Sequence, residues 1–186
     1  MNRFTMCLIC AFNLAIAPNL MASSQNTPTK LKTIKFLGLS STLPASWVDE
    51  KPSSSMRLAQ YRVPGRGSNG DANLVLYYFG QGQGGSADAN IARWQSQFTT
   101  AEGGVVEPKL ETMEVNGIAV TVVELRGHYA RGVGMGPVGT AAPDQILLAA
   151  IVESTQGNIH IQLHGPANTV SMQRDAYMAF IRNITP

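Results

Sequence analysis

Cysteine is nearly missing from this chain. Of 186 residues only Cys7 and Cys10 are cysteine. Both fall in an N-terminal stretch that reads as a removable leader. The remainder therefore has no thiol nucleophile, no thiolate metal site and no disulfide. Charge is also scarce: Asp, Glu, Lys and Arg make up 14% of residues, and the formal net charge is +2. With no cluster of lysine and arginine, the electrostatic footprint of a nucleic-acid binder is excluded. No apolar run reaches the roughly 20 residues that span a bilayer, so no transmembrane span is expected in the mature form. The apolar fraction of 44% is ordinary, which excludes wholesale disorder.

The familiar catalytic signatures are missing too. There is no H-E-x-x-H, no EF-hand loop and no paired-carboxylate pattern. Gly85-Ser86-Ala87 lacks the surroundings of a G-x-S-x-G elbow. No catalytic residue, metal site or cofactor is assigned on this inventory, and the chain reads as leaning away from an enzyme.

What is present begins at the N-terminus. Met1 to Arg3 carries one positive charge. Phe4 to Ala17 is apolar except for Thr5 and Asn13, and small residues follow at Ala15, Ala17, Ala22 and Ser23. This is the layout of a secretory signal peptide. Cleavage after Ala17 puts Pro18 just beyond the cut, and cleavage after Ala22 puts Leu20 three residues back; Ala22 is favoured. The division is then 1–22 signal peptide, 23–32 flexible lead-in and 33–186 a single α+β domain. An exported, cysteine-free domain suits a bacterial periplasm or exterior.

Along the domain, 33–39 predicts a first strand. Leu43 to Ser55 predicts an ordered loop with Trp47 plugged into the core edge. Met56 to Val63 and Leu74 to Phe79 predict strands, the second apolar on both faces. Gly80 to Gly85 is a turn, and Ser86 can cap a helix on which Ile91, Trp94 and Phe98 recur at helical spacing. Asn116-Gly117 between Lys109–Val115 and Ile118–Arg126 is a strong hairpin signal. Gly127 to Pro143 reads as a long loop. Gln145 to Glu153 is a strand apolar on both faces, and 159–163 alternates Ile159, Ile161 and Leu163 against His160, Gln162 and His164. A closing helix over Val170–Arg182 has Asn168 or Thr169 as its cap. The order β-β-β-α-β-β-β-β-α predicts an α+β protein with a mainly antiparallel sheet of six to seven strands between helices.

The element order, the Leu43-Pro44-Ala45-Ser46-Trp47 loop and the Gly165-Pro166 entry into an amphipathic helix resemble the Mog1/PsbP-like fold. The segment FGQGQGGSADANIARW is also similar to one in secreted bacterial proteins of unestablished function. The resemblance implies an α/β/α sandwich over about 33–184 and a mostly non-enzymatic membership. It transfers no residue roles.

Several residues invite functional readings. Gly80-x-Gly82-x-x-Gly85 matches G-x-G-x-x-G, yet the following hairpin is not the parallel unit that a dinucleotide site needs, and Ser86 stands where a P-loop needs lysine. A looser anion site could use helix amides near Gly82, Gly84, Gly85 and Ser86. The alternative role of these glycines is a tight turn and close packing. Asn90, Arg93 and Gln97 share a helix face predicted to lie opposite Ile91, Trp94 and Phe98, which is either a ligand surface or a solvated face. His160 and His164 share a strand face about 13 Å apart, too far to bind one metal ion. His128 could act as a general base, with Glu124 and Asp144 as candidate neighbours, or be structural. The expected function is a secreted, non-catalytic binding or accessory protein for an unknown protein partner or small polar ligand. Its expected surface joins Gly80–Ser86, the 127–143 loop, Arg93 and His128. The alternatives are an anion or phosphate module at Gly80–Ser86, or a hydrolase or lyase using His128.

Overall fold

The computed structural model describes residues 30–130 and 140–186. The expected signal peptide, its expected cleavage point and most of the expected 127–143 loop lie outside these residues. The chain opens with β1 (Leu31–Phe36) and β2 (Leu39–Pro44), an antiparallel hairpin. The single strand expected over 33–39 is broken because Leu37 and Gly38 take positive φ and turn the chain. There follow β3 (Val48–Glu50), β4 (Arg57–Val63), β5 (Ala72–Tyr78), α1 (Ala87–Gln95) and β6 (Phe98–Thr99). The chain continues with β7 (Lys109–Val115), β8 (Ile118–Tyr129), β9 (Ala142–Ser154), β10 (Gly157–Pro166) and α2 (Ala167–Arg182).

Eight of these strands form one sheet in the order β3-β4-β5-β10-β9-β8-β6, with β7 also paired to β8. Every pairing among the described strands is antiparallel. The fold is α+β, with one more strand in the main sheet than expected and a separate hairpin. The β7–β8 turn is Asn116-Gly117, both at positive φ (50° and 80°), as a two-residue hairpin demands.

Strand periodicity sorts the core into two layers. On one face Leu74, Leu76, Leu148, Ala150, Ile161 and Leu163 pack against Tyr177, Phe180 and Ile181 of α2. The β1–β2 hairpin completes that cover through Phe36, Leu39 and Leu43. Trp47 is buried in this layer, and its indole N–H donates to Gln173 Oε1 at 3.1 Å. On the other face Val123, Leu125, Leu147, Ala149 and Ile151 lie under Trp94 and Phe98. The apolar run of β9 is thus explained, since it is covered from both sides.

Two local expectations are corrected. Phe98 does not extend α1; the helix stops at Gln95 and Phe98 starts β6. Neither Asn168 nor Thr169 caps α2, which starts directly after Pro166. The Thr169 hydroxyl instead donates to the Gly70 carbonyl at 2.7 Å, tying the helix to the β4–β5 turn.

The two helices differ in reach. α2 has 16 residues and α1 has nine. At 1.5 Å per residue these are about 24 and 14 Å. The shorter one covers only the β8–β9 side of its face, leaving the β4–β5–β10 side open.

Candidate functional site

The Gly80–Ser86 turn is built to sit close to the sheet. Ser86 caps α1, with its hydroxyl accepting from the Ala89 amide at 3.2 Å. Gly84 has φ +91°, and a Cβ there would meet the Phe79 ring at 3.0 Å and His160 Cε1 at 3.1 Å. Only glycine meets both demands. Asn90 is 2% exposed, contrary to a solvated helix face. Its Nδ2 donates to the carbonyls of Gly84 (2.7 Å) and Ser86 (2.9 Å), and its Oδ1 accepts from Arg93 Nη2 at 2.6 Å. Asn90 and Trp94, four residues apart, both point inward. The asparagine therefore holds the turn from below, while Gly82, Gly85 and Ser86 remain exposed on its outside.

His128 is not part of this arrangement. It pairs with Thr99 in the β8–β6 ladder. The Gly80–Ser86 turn follows β5 at the sheet end where Tyr78 pairs with Ile159 and Ile159 with Val152. Tyr129 pairs with Ala142 at the opposite end of β9. Val152 and Ala142 are ten residues apart along that strand, about 33 Å. The expected joint surface of the glycine turn with His128 is therefore not formed. Nor do the two carboxylates suggested for His128 attend it: Glu124 pairs with Arg174 at 2.6 Å and Asp144 with Arg126 at 2.9 Å. The nearby acid is Glu102, held below the usual carboxylate range by its own backbone amide and the Thr100 hydroxyl, and by His128 last.

What the structure does assemble is a cleft between α1 and the open half of the sheet. Its volume is about 640 Å³, within the usual range for small-molecule sites. Three ladder rows carry the floor, and all their members but Arg62 and the buried His160 line it. Arg57, Tyr77 and His160 share one row; Gln60, Val75 and Gln162 the next; Arg62, Asn73 and His164 the third. Along each row the next residue, on β9, is apolar: Ile151, Ala149 and Leu147. The face thus changes from apolar under α1 to polar beside it. Arg93 and Trp94 of α1, with Gln97 just past its end, form one wall, and Tyr129 lies at the far end. Among the described residues, no Asp or Glu lines the cleft.

Arg57 reaches this face because of a β-bulge. It stands three positions before Gln60, an odd offset, so regular alternation would place the two on opposite faces. The register shifts between Arg57 and Ala59, which adds a residue and re-aims Arg57. Its Nη1 then donates to Gln60 Oε1 at 2.6 Å, and the guanidinium lies 5.4 Å from the Tyr77 ring centroid. Such a placement carries cation–π attraction.

The two histidines of β10 sit on this same face among rings. His160 is fully buried, 5.5 Å from the Phe79 ring and 6.0 Å from Trp94. His164 lies 4.1 Å from Tyr129 and 6.3 Å from Phe98. Among the described residues, neither ring nitrogen of His160 has a hydrogen-bond partner, nor has Nε2 of His164. Burial pushes both imidazoles down to about 4, with Arg93 adding to the effect at His160. Both are neutral at pH 7.

Arg57, Gln60, Asn73, Tyr77, Gln162 and His164 were not singled out together by sequence reading. A signal existed: β10 alternates Ile159, Ile161 and Leu163 with polar partners, although it is an interior strand. A polar face on an interior strand marks an uncovered patch.

No family model matches this chain, and no curated protein matches it in sequence. Solved structures do resemble it in fold. A protein of unknown function, PA94 from Pseudomonas aeruginosa, is 12% identical, with 84% of this chain and 96% of that one covered and a TM-score of 0.51. The cyanobacterial PsbP, CyanoP, from Synechocystis sp. PCC 6803 is 14% identical, with 89% and 98% covered and a TM-score of 0.51. These likenesses support the Mog1/PsbP-like fold and bear on architecture alone.

Proposed function

We propose that this chain is an exported, non-catalytic binding or accessory protein, and that the cleft beside α1 is where it takes a small polar ligand. The observation that carries this reading is the polar half-face of an interior sheet region. Five strand residues from β4, β5 and β10 present guanidinium, carboxamide and imidazole groups to a concave space instead of to a covering helix. A sheet face of this kind in a merely structural role would be covered by apolar packing, as the α2 face is. The cleft offers hydrogen-bond donors and aromatic walls but no carboxylate to act as base or nucleophile. That inventory favours holding a ligand over transforming it. The chain's leader-like N-terminus supports action outside the cytoplasm, and the fold likeness to CyanoP is compatible with an accessory role.

The test is a screen of polar small molecules followed by NMR. A ligand at this site should shift the Trp94 indole and the Gln60, Gln97 and Gln162 side-chain amides. Shifts confined to Gly82–Ala87 would move the site to the glycine turn. Shifts confined to Thr99, Glu102 and His128 would move it to the β6–β8 end.

A further inference from the structure

The ligand's charge can be read from how the cleft treats its arginines, an argument that rests on the cleft being the binding site. Arg62, Arg126, Arg174 and Arg182 each reach a carboxylate within 4.0 Å. Arg57 and Arg93 have no such ion pair among the described residues, and outside the cleft the exposed Arg66 of the β4–β5 turn has none either. Each is instead oriented by a neutral carbonyl oxygen: Gln60 Oε1 for Arg57 and Asn90 Oδ1 for Arg93. A carboxamide fixes the direction of a guanidinium without cancelling its charge. The nearby Glu50 carboxylate accepts from Gln60 and approaches Arg62 instead.

The two arginines also line one cleft. Arg57 lies over Tyr77, and Tyr77 is the ladder neighbour of His160. Arg93 is close enough to His160 to act on its charge. Both cations therefore border the same cleft, beside Tyr77, Phe79 and Trp94. Among the described residues, no Asp or Glu in the lining opposes them. The histidines on this face stay neutral over the physiological range, so the positive charge belongs to the arginines alone. Guanidinium forks bind carboxylate and phosphate in bidentate fashion.

We propose that the cleft takes a small organic dianion, a phosphate monoester or a dicarboxylate, with its charge held between Arg57 and Arg93. The body of the ligand rests against Tyr77, Phe79 and Trp94, with Gln97 and Gln162 reading its polar groups.

Matched probes test this by NMR titration and calorimetry at low salt. Phenyl phosphate is set against phenyl sulfate, its monoanionic counterpart. Glutarate is set against its monoamide. The expected result is a preference of about tenfold or more for at least one dianion over its partner, the scale of a charge-assisted hydrogen bond. Arg57→Gln and Arg93→Gln should each collapse that preference, while Arg57→Lys and Arg93→Lys should keep part of it. If phosphate is the preferred group, affinity should rise from pH 5 to 7 as its second proton leaves near 6. A dicarboxylate preference should rise less over that range and level off earlier, since carboxyl groups lose their protons at lower pH than a phosphate monoester loses its second. Unfolding curves confirm that the variants fold. Equal affinity for dianion and monoanion, unchanged in both glutamine variants, overturns the dianion assignment and leaves the cleft as the site. No shift of the Trp94 indole or Gln162 amide with these probes or the wider polar screen overturns both.

Discussion

The same strands present two unlike faces. Towards α2, β5 and β10 show Leu74, Leu76, Ile159, Ile161 and Leu163, all fully buried. Towards α1, the alternating residues are Asn73, Val75, Tyr77, His160, Gln162 and His164. One face is sealed by a 16-residue helix, the β1–β2 hairpin and the C-terminal tail, where Ser40 and Thr185 exchange backbone hydrogen bonds of 2.8 and 2.9 Å. The other has a nine-residue helix over half its width. The contrast separates two tasks within one sheet. Stability comes chiefly from the sealed face, and the open face is left free to carry polar groups that burial would otherwise penalise.

The largest effect that tests this division is a cavity under α2. Phe180 is fully buried and its ring centroid is 6.1 Å from that of Phe36. Phe180→Ala should lower unfolding free energy by about 3–5 kcal/mol in urea titrations. A loss below 1 kcal/mol would mean that the sealed face is not the main store of stability.

Acid should act next, and from the other face. His160 and His164 are held down to about 4 in the folded chain, against about 6.5 when unfolded. Between those values the unfolded state binds more protons, so stability falls as pH drops from 6.5 towards 4. Each histidine can contribute roughly 3 kcal/mol to that fall. His164→Phe should flatten the stability–pH slope in this window. An unchanged slope would show that His164 is not buried neutral.

The glycine turn gives the next contrast. Gly82 (φ +69°) has open space around its missing side chain, whereas Gly84 does not. Gly82→Ala should cost about 1–2 kcal/mol from backbone conformation alone. Gly84→Ala should cost more, by a further ~1–3 kcal/mol of overpacking on Phe79 and His160. Equal costs would mean that the turn does not pack on the sheet as described.

At the small end, Gln162→Ala should change stability by no more than about 0.5 kcal/mol while weakening ligand binding. It neighbours Ile161 and Leu163, whose truncation should be far more costly. A large loss of stability from Gln162→Ala would erase the distinction between the two faces.

Much of the fold was legible. Asn116-Gly117 named its hairpin because few residues tolerate two successive positive φ angles. The double-sided apolar run of β9 announced cover on both sides, and the Ser86 cap placed α1. The β1–β2 hairpin was missed because Leu37, a non-glycine residue at φ 49°, gives no turn signal of its own. The site was less legible. The sequence singled out Arg93, and its hydrogen bond to Asn90 places it beside the turn. Asn90 was read as outward-facing because a polar residue on a short helix usually is, yet two loop carbonyls make its burial favourable. His128 was grouped with the glycine turn on strand ends alone, without the register that sends those ends apart.

By itself, the sequence determined the element types, the antiparallel hairpins and the α+β class. Those follow from local periodicity and from turn residues whose backbone preferences act over a few positions. Tertiary structure alone decided the cleft. Its arginines, 36 residues apart in sequence, line one cleft only because β4 bulges between Arg57 and Ala59 and β10 inserts beside β5. A one-residue irregularity reverses which face a side chain occupies, and the length of α1 sets how much of that face stays open. Neither is encoded in residue type at the site, so the functional surface became visible only when distant strands were laid side by side.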